Sequence, residues 1–244
     1  MARLEKQARF CAGWLFPDFD IPDGARVLDL ATGVGAMAGL LRTRWPTARL
    51  TGVDLSPAQL AWARKNHRDV PISRADAARL PFAANTFDRV HCTWLLEHVP
   101  QPVPILRDVL RVLKPGGYAI FTEVDNATFE TDPPSEAVTR AMNGLNEAQV
   151  RAHGDPFVGR RLEQLFRDAG FPKIERVPKL LHGHNGAPEL FATFVDEFAE
   201  IFEGLDEALP HEKATHAAAA AHLRSLPQRN GQMRYRPVVV KGFK

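Results

Sequence analysis

VLDLATGVGAMAGLL, Val27–Leu41, is the stretch from which the rest of the chain can be read. Val27–Leu30 is an apolar run interrupted by one carboxylate, Asp29, which is the pattern of a strand buried on both faces. Thr32, Gly33, Val34 and Gly35 then break the run, and glycine is needed where a backbone turns sharply and approaches a ligand with no Cβ in the way. From Ala36 the pattern is helical, so the amides of the helix start face back towards the turn. Taken alone, the turn also fits a structural corner in any α/β domain.

Outward from this stretch, short apolar strands (Leu50–Val53, Arg89–Cys92, Tyr118–Val124) alternate with amphipathic helices (Ala36–Arg44, Pro57–Asn66, Pro102–Leu113). That alternation predicts an α/β doubly wound fold, with right-handed crossovers and a parallel sheet covered on both faces. Upstream, Leu4, Ala8, Cys11, Ala12 and Leu15 at helical spacing predict a capping helix over 3–16, stopped by the Pro17–Gly24 stretch. Downstream, a polar insertion over 126–150 turns helical, and a helix over Gly159–Ala169 ends at Gly170. One strand is expected over Ile174–Leu181, a helical stretch over Glu189–Leu226, and a last strand within Gln232–Lys244, paired beside Ile174–Leu181.

Composition narrows the function classes. With 244 residues the chain can bury one substantial core. Lysine and arginine (31) nearly balance aspartate and glutamate (29), and the net charge of +2 offers no footprint for nucleic acid or a membrane surface. A small-molecule partner is therefore expected. Cys11 and Cys92 make neither a disulfide framework nor a metal-ligand spacing, and no signal peptide or membrane-length apolar run is seen, so the expected location is cytoplasmic. The exposed helical insertions are candidate surfaces for a homodimer.

Asp54 lies nineteen residues after Gly35, at the end of LTGVD, where a carboxylate can accept both hydroxyls of a ribose. A dinucleotide enzyme would show the same two features. Against it, the glycines fall at 33, 35 and 39, one residue too late for the pyrophosphate pattern, and Asp29 with the small Ala31 suits a ligand bearing an ammonium instead.

Four blocks in order, VLDLATGVG, LTGVDLSP, RADAARLPFAANTFDRVHCTWLLEHV and RVLKPGGYAIFTEVD, resemble the class I S-adenosylmethionine (SAM) dependent methyltransferases. The likeness is to the small-molecule group related to ubiquinone and menaquinone biosynthesis, close over roughly 20–125 and weaker over 155–244. It implies a Rossmann-like seven-stranded sheet, mostly parallel with an antiparallel last strand, and a SAM cofactor. It further implies that Asp29 orders the glycine loop and the methionyl amine, that Ala31, Gly33 and Gly35 line the methionyl and ribose part, and that Asp54 binds the ribose with Leu55 beside the adenine. Asp76 would accept the adenine amine, Ala77 would offer its backbone amide to the ring, and Thr93 and Trp94 would face the methionine portion. Leu113, Pro115, Gly116 and Gly117 are read as a helix end and turn. The resulting plan is one domain: a capping helix in 1–24, a SAM-binding core in 25–125, helical insertions in 126–158 and 182–231 forming a cap, and the remainder of the core in 159–181 and 232–244.

Methyl transfer from a sulfonium needs positioning and exclusion of water more than a dedicated base. If the acceptor must lose a proton, His98 in LLEHV is the first candidate, with local packing or capping as its ordinary alternative. Glu123, at the end of the fifth strand, is the second, balanced between acceptor contact and a solvated loop. His182 and His184 lack a third ligand, and no metal is expected; the five histidines from 182 to 222 could line an acceptor pocket or be exposed. Phe10, Trp14, Phe16 and Trp94 could cover a sulfonium; alternatively Trp14 and Phe16 anchor the first helix, as is favoured for Phe16. The stripe Leu190, Phe191, Phe194, Phe198, Ile201 and Phe202 reads as core or cap. A SAM-binding sensor or scaffold without turnover is the alternative to an enzyme.

Overall fold

The computed structural model describes residues 2–244. It opens with helix α1 (Ala2–Leu15) and continues through β1 (Arg26–Leu30), α2 (Ala36–Arg44), β2 (Arg49–Asp54), α3 (Pro57–Asn66) and β3 (Ile72–Arg74). Next come β4 (Phe87–Thr93), α4 (Pro102–Val112) and β5 (Leu113–Glu123). The second half holds β6 (Glu130–Asp132), α5 (Glu136–Arg151), α6 (Leu162–Ala169), β7 (Lys173–Val177), β8 (Leu181–Gly183), α7 (Pro188–Gly204), α8 (Lys213–Ser225), β9 (Gln232–Tyr235) and β10 (Val238–Phe243). Local chemistry sets several boundaries. Ser56 caps α3 by accepting from the Gln59 amide, with Pro57 in the first turn, and Gly170 closes α6 in the left-handed conformation at φ 96°.

The main sheet has strand order β3-β2-β1-β4-β5-β10-β7, and β10 runs antiparallel to both its neighbours. This is the expected Rossmann-like sheet with its one reversed strand. The strand order turns round between β1 and β4, so a crevice opens beyond their carboxyl ends, where α/β sheets hold their ligands. Leu28, Leu30, Phe87, Val90, Leu106 and Phe121 fill one side of the sheet against α4 and α6; α1 and α2 cover the other with Cys11, Leu15, Ala38 and Leu41.

Three segments differ from the reading of the sequence. Ile174–Leu181 is not one strand, and neither is Gln232–Lys244: β7 stops at Val177 and β9 at Tyr235, and the chain resumes as β8 and β10. Pro178 and Pro237 lie in the two gaps, and a proline has no N–H to give a ladder. Both chains leave the main sheet there, and β9 pairs with β6 and β8 in a separate antiparallel sheet. The stretch Glu189–Leu226 is likewise two helices, broken before Pro210. Leu113–Gly117, read as a turn, belongs to β5, with Gly116 at φ 78° and a register shift opposite Phe87 and Arg89.

The small sheet with α5, α7 and α8 forms a second core. Phe191, Phe194 and Phe202 are fully buried in it, and the Phe198 ring stacks on Phe129 at 4.3 Å. The aromatic stripe of α7 is thus the centre of a cap. Phe10 and Trp14 of α1 pack against that core, with Phe10 stacked on Phe194 at 5.9 Å, whereas Phe16 anchors the chain on Trp45.

Candidate active site

Parallel pairing of β1 with β4 sets Asp29 beside His91, and pairing with β2 sets it beside Gly52. The Asp29 carboxylate, 2% exposed, accepts from His91 Nδ1 at 2.8 Å and from the Thr32 hydroxyl at 2.5 Å. Because a carboxylate only accepts, Nδ1 carries the proton, and the other ring nitrogen, Nε2, lies 2.8 Å from Thr93 Oγ. A buried chain Thr32–Asp29–His91–Thr93 therefore ties the glycine turn to the end of β4. Gly52 leaves room for it, since a Cβ there would meet Thr32 at 3.0 Å. Ala31 and Trp94, the residues that leave the two strands, both take left-handed backbone (φ 55° and 56°), which costs a side-chain-bearing residue free energy and persists only where surroundings enforce it. For Trp94 the enforcement is visible: its amide donates to Thr122, and the next three amides, of Leu95, Leu96 and Glu97, donate to Glu123 at 3.2, 2.8 and 3.3 Å.

The crevice opens into one cavity of about 450 Å3 that runs under the cap. Of the residues singled out in the sequence, Asp29, Ala31, Gly33, Asp54, Thr93, Trp94 and His98 line it. Asp54 accepts from the Gly33 amide at 2.9 Å and the Ser56 amide at 2.8 Å, so the β2 carboxylate holds the turn from above. Gly35 does not reach the cavity: at φ 78° it faces α3, where a Cβ would meet Ala63 at 3.0 Å. Gly39 packs on His67 in the same way, so the displaced third glycine serves helix packing. Leu55 is 58% exposed, and Asp76 is an exposed carboxylate that accepts from the Ala78 amide at 2.8 Å, with Ala77 between them half-buried. These three lie outside the cavity wall.

Glu123 is fully buried and does not line the cavity; it is neither a solvated loop residue nor an acceptor contact, because its oxygens are taken by the turn amides. Burial, and then the neighbouring Glu97 carboxylate, pushes it up to about 8 against those hydrogen bonds. Glu97 does line the cavity while being only 5% exposed, and burial raises it too, against His98 and Gln149. His98 stands on the outer side, mostly exposed, with Nε2 3.6 Å from Glu97 Oε1. Gln149 of α5 donates to the other Glu97 oxygen, and Asn126 donates to Gln149 at 3.2 Å and to Asn146 at 2.9 Å. Tyr235 of β9 closes this polar corner, its hydroxyl 3.5 Å from Asn126 Oδ1. Phe10, Leu145, Leu181, Phe198 and Ile201 make most of the remaining cap wall apolar, with Arg3, Gln7 and Glu197 as its polar members. None of the five histidines from 182 to 222 lines it; His182 bonds Gln232 at 2.8 Å and His216 is buried against Asp206 at 2.7 Å.

Residues 28–121, the span that builds this crevice, match the methyltransferase domain family. Over 119 residues the chain is 38% identical to the ubiquinone/menaquinone biosynthesis C-methyltransferase of Desulfotalea psychrophila, covering 48% of this chain and 46% of that one. Methyltransferase GfsG of Streptomyces halstedii is 33% identical over 150 residues, 59% of this chain and 53% of its own. The chain thus spans about half the length of the curated relatives it matches. Among solved structures, a phosphoethanolamine N-methyltransferase of Haemonchus contortus, in complex with phosphomonomethylethanolamine and S-adenosylhomocysteine, superposes with a TM-score of 0.57 at 20% identity, covering 100% of this chain and 52% of that one. The matched span provides the glycine-turn side of the cavity, and residues beyond 121 provide most of its cap.

Sequence reasoning missed Thr32, His91, Glu97, Asn126, Gln149 and Tyr235. Thr32 and His91 were within reach, because the register of two adjacent buried strands sets a polar residue of one beside Asp29 of the other. Glu97 sits next to His98 in LLEHV, and only the fold shows which of the two faces inwards. Nothing local marks Asn126, Gln149 or Tyr235.

Proposed function

We propose that this chain binds SAM in the β1–β4 crevice and transfers its methyl group to a small-molecule acceptor in the chamber beneath the cap. One observation carries the reading: the Thr32–Asp29–His91–Thr93 chain and the Gly33 turn form one end of the same cavity whose other end is a largely apolar chamber beneath the cap. The donor set suits the cofactor. Asp29 and Asp54 face this end, and Arg3 is the sole lysine or arginine among the described lining residues, committed to Glu197 at 3.1 Å. A pyrophosphate would meet two carboxylates and no free side-chain cation, whereas an ammonium and a sulfonium are welcome. The buried Trp94 indole N–H has no acceptor within the described structure, and exposed Leu55 beside Asp54 offers an apolar face to a purine.

When bound, SAM supplies an electrophilic methyl group on a good leaving group. The protein's part is to hold and enclose. Asp54 would receive the ribose hydroxyls, the Ala31–Gly33 backbone would lie along the methionyl part, and Thr93 and Trp94 would close the side towards the acceptor. Helix α1 and the cap keep water out, which an in-line displacement requires. The chamber beyond the cofactor wall favours turnover over sensing. The near-neutral charge favours a small molecule over nucleic acid, and two free, buried thiols fit a reducing compartment such as the cytoplasm.

Calorimetry with S-adenosylhomocysteine tests the reading. Saturable binding is expected, weakened at least about tenfold in Asp54→Ala by loss of a charge-assisted pair of hydrogen bonds. Absence of binding to the wild-type protein would remove the proposal.

A further inference from the structure

We infer that Glu97 is the proton acceptor for the transferred methyl's new partner atom, that His98 passes the proton on to solvent, and that the acceptor is an uncharged hydroxyl or amine on an apolar body. The inference rests on the methyl-transfer reading above.

Three features of the chamber lead to it. Glu97 is a buried side chain on the cavity wall whose Oε2 accepts from Gln149, while Oε1 accepts no hydrogen bond among the described residues. That oxygen is not sealed inside the protein but open to the cavity, where it can accept from a ligand hydroxyl or amine. His98 Nε2 lies 3.6 Å from Oε1, and the His98 side chain is 61% exposed while that of Glu97 is 7% exposed. The pair thus spans the wall from chamber to water. Thirdly, the walls carry Glu97 and the buried Glu197 and, among described residues, no lysine or arginine except the already paired Arg3, so an acceptor bearing a carboxylate or phosphate would be repelled. Phe10, Leu145, Phe198 and Ile201 instead offer an apolar body its contacts.

The step balances. The lone pair of the acceptor oxygen or nitrogen forms the bond to the methyl carbon as the carbon–sulfur bond breaks, and that bond's electrons stay on sulfur as the neutral thioether. The proton lost by the acceptor goes to Glu97 Oε1, then through His98 to water. Burial sets Glu97 above the ordinary carboxylate range, nearer a working base at neutral pH. The groups facing it are His98 on its own turn, Glu123 from β5, Gln149 from α5 and Tyr235 from β9.

The test compares wild-type protein with Glu97→Gln, which can still accept from Gln149. S-adenosylhomocysteine calorimetry should give the same affinity for both, within about threefold. With SAM and 2-naphthol or aniline, wild-type protein should form methylated product and should not methylate 2-naphthoate. Glu97→Gln should lower kcat by about 10²–10⁴ and abolish the rise of kcat with pH. Carbon-13 NMR of glutamate-labelled protein adds a reading independent of turnover: the resonance lost in Glu97→Gln should shift when 2-naphthol is added to the S-adenosylhomocysteine complex. His98→Gln should slow turnover and regain it with imidazole in the buffer. Unchanged kcat and pH profile in Glu97→Gln, an unmoved NMR resonance, preference for 2-naphthoate, or a wild-type protein that binds S-adenosylhomocysteine yet methylates neither neutral acceptor would each overturn the assignment. A wild-type protein that does not bind S-adenosylhomocysteine would overturn the function on which it rests.

Discussion

The two ends of the cavity are built on different principles. The glycine-turn end comes from residues 29–34, Asp54, His91, Thr93 and Trp94, which lie at or just beyond the ends of neighbouring parallel strands and are positioned by backbone pairing. The cap end gathers Phe10, Leu145, Leu181, Phe198, Ile201 and Tyr235 from five separate elements, positioned by packing in the second core. Sheet pairing repeats the same geometry wherever the pattern recurs, so the first end serves a common ligand. Side-chain packing is specific to one sequence, so under the proposed function the second end is where an acceptor would be selected. The seam between them is Glu123, which reaches from β5 to hold the turn that carries Glu97.

Breaking the first end should have the largest effect. Asp29→Ala strips His91 and Thr32 of a buried charged acceptor and is expected to cost about 3 kcal/mol in urea unfolding, together with most S-adenosylhomocysteine affinity in calorimetry. Unchanged stability would mean that the strand ends need no such tie.

The seam should respond to pH. Glu123 is held protonated up to about 8 in the fold, whereas an unfolded glutamate titrates near 4.5. Folding therefore binds a proton between those values, so this group's contribution is whole below about pH 4.5 and is lost as pH rises through about 8. Wild-type stability should fall across this window, with one proton setting a slope of at most about 1.4 kcal/mol per pH unit. Glu123→Gln cannot ionise, and its stability should fall by up to about 4 kcal/mol less between pH 5 and pH 9, read from denaturant midpoints. Parallel pH profiles for the two proteins would show that Glu123 does not titrate in this range.

The smallest effect is expected where α1 meets the cap. Glu197 of α7 accepts from Arg3 at 3.1 Å and Gln7 at 2.6 Å, while its second oxygen is buried without a partner and burial raises its pKa. Glu197→Gln keeps an acceptor for both donors and removes a buried charge, so the change should stay within about 1 kcal/mol, or roughly 2–4 °C in Tm. A loss several times larger would show that the charge itself holds the two regions together.

The resemblance and the strand–helix alternation carried the reading of the fold up to β5, but β3, with three half-buried or exposed residues, has too little apolar signal to be seen. Within the site, Asp29, Ala31, Gly33, Asp54, Thr93 and Trp94 were legible because each lies within a few residues of a strand end. Gly35 and Gly39 were legible as glycines but not as packing glycines, since the side chains that demand them, Ala63 in α3 and His67 just after it, come from elsewhere in the chain.

By itself, then, the sequence determined the strand order's raw material, the glycine turn and the carboxylates that end β1 and β2, because strand periodicity and turn chemistry are local properties of the chain. Only the tertiary structure decided that Glu97 faces inwards while His98 faces water, that Glu123 is consumed in holding their turn, and that two prolines send β8 and β9 out of the main sheet to build the roof. Those outcomes depend on contacts between residues far apart in the chain, and such contacts leave no periodic trace in it.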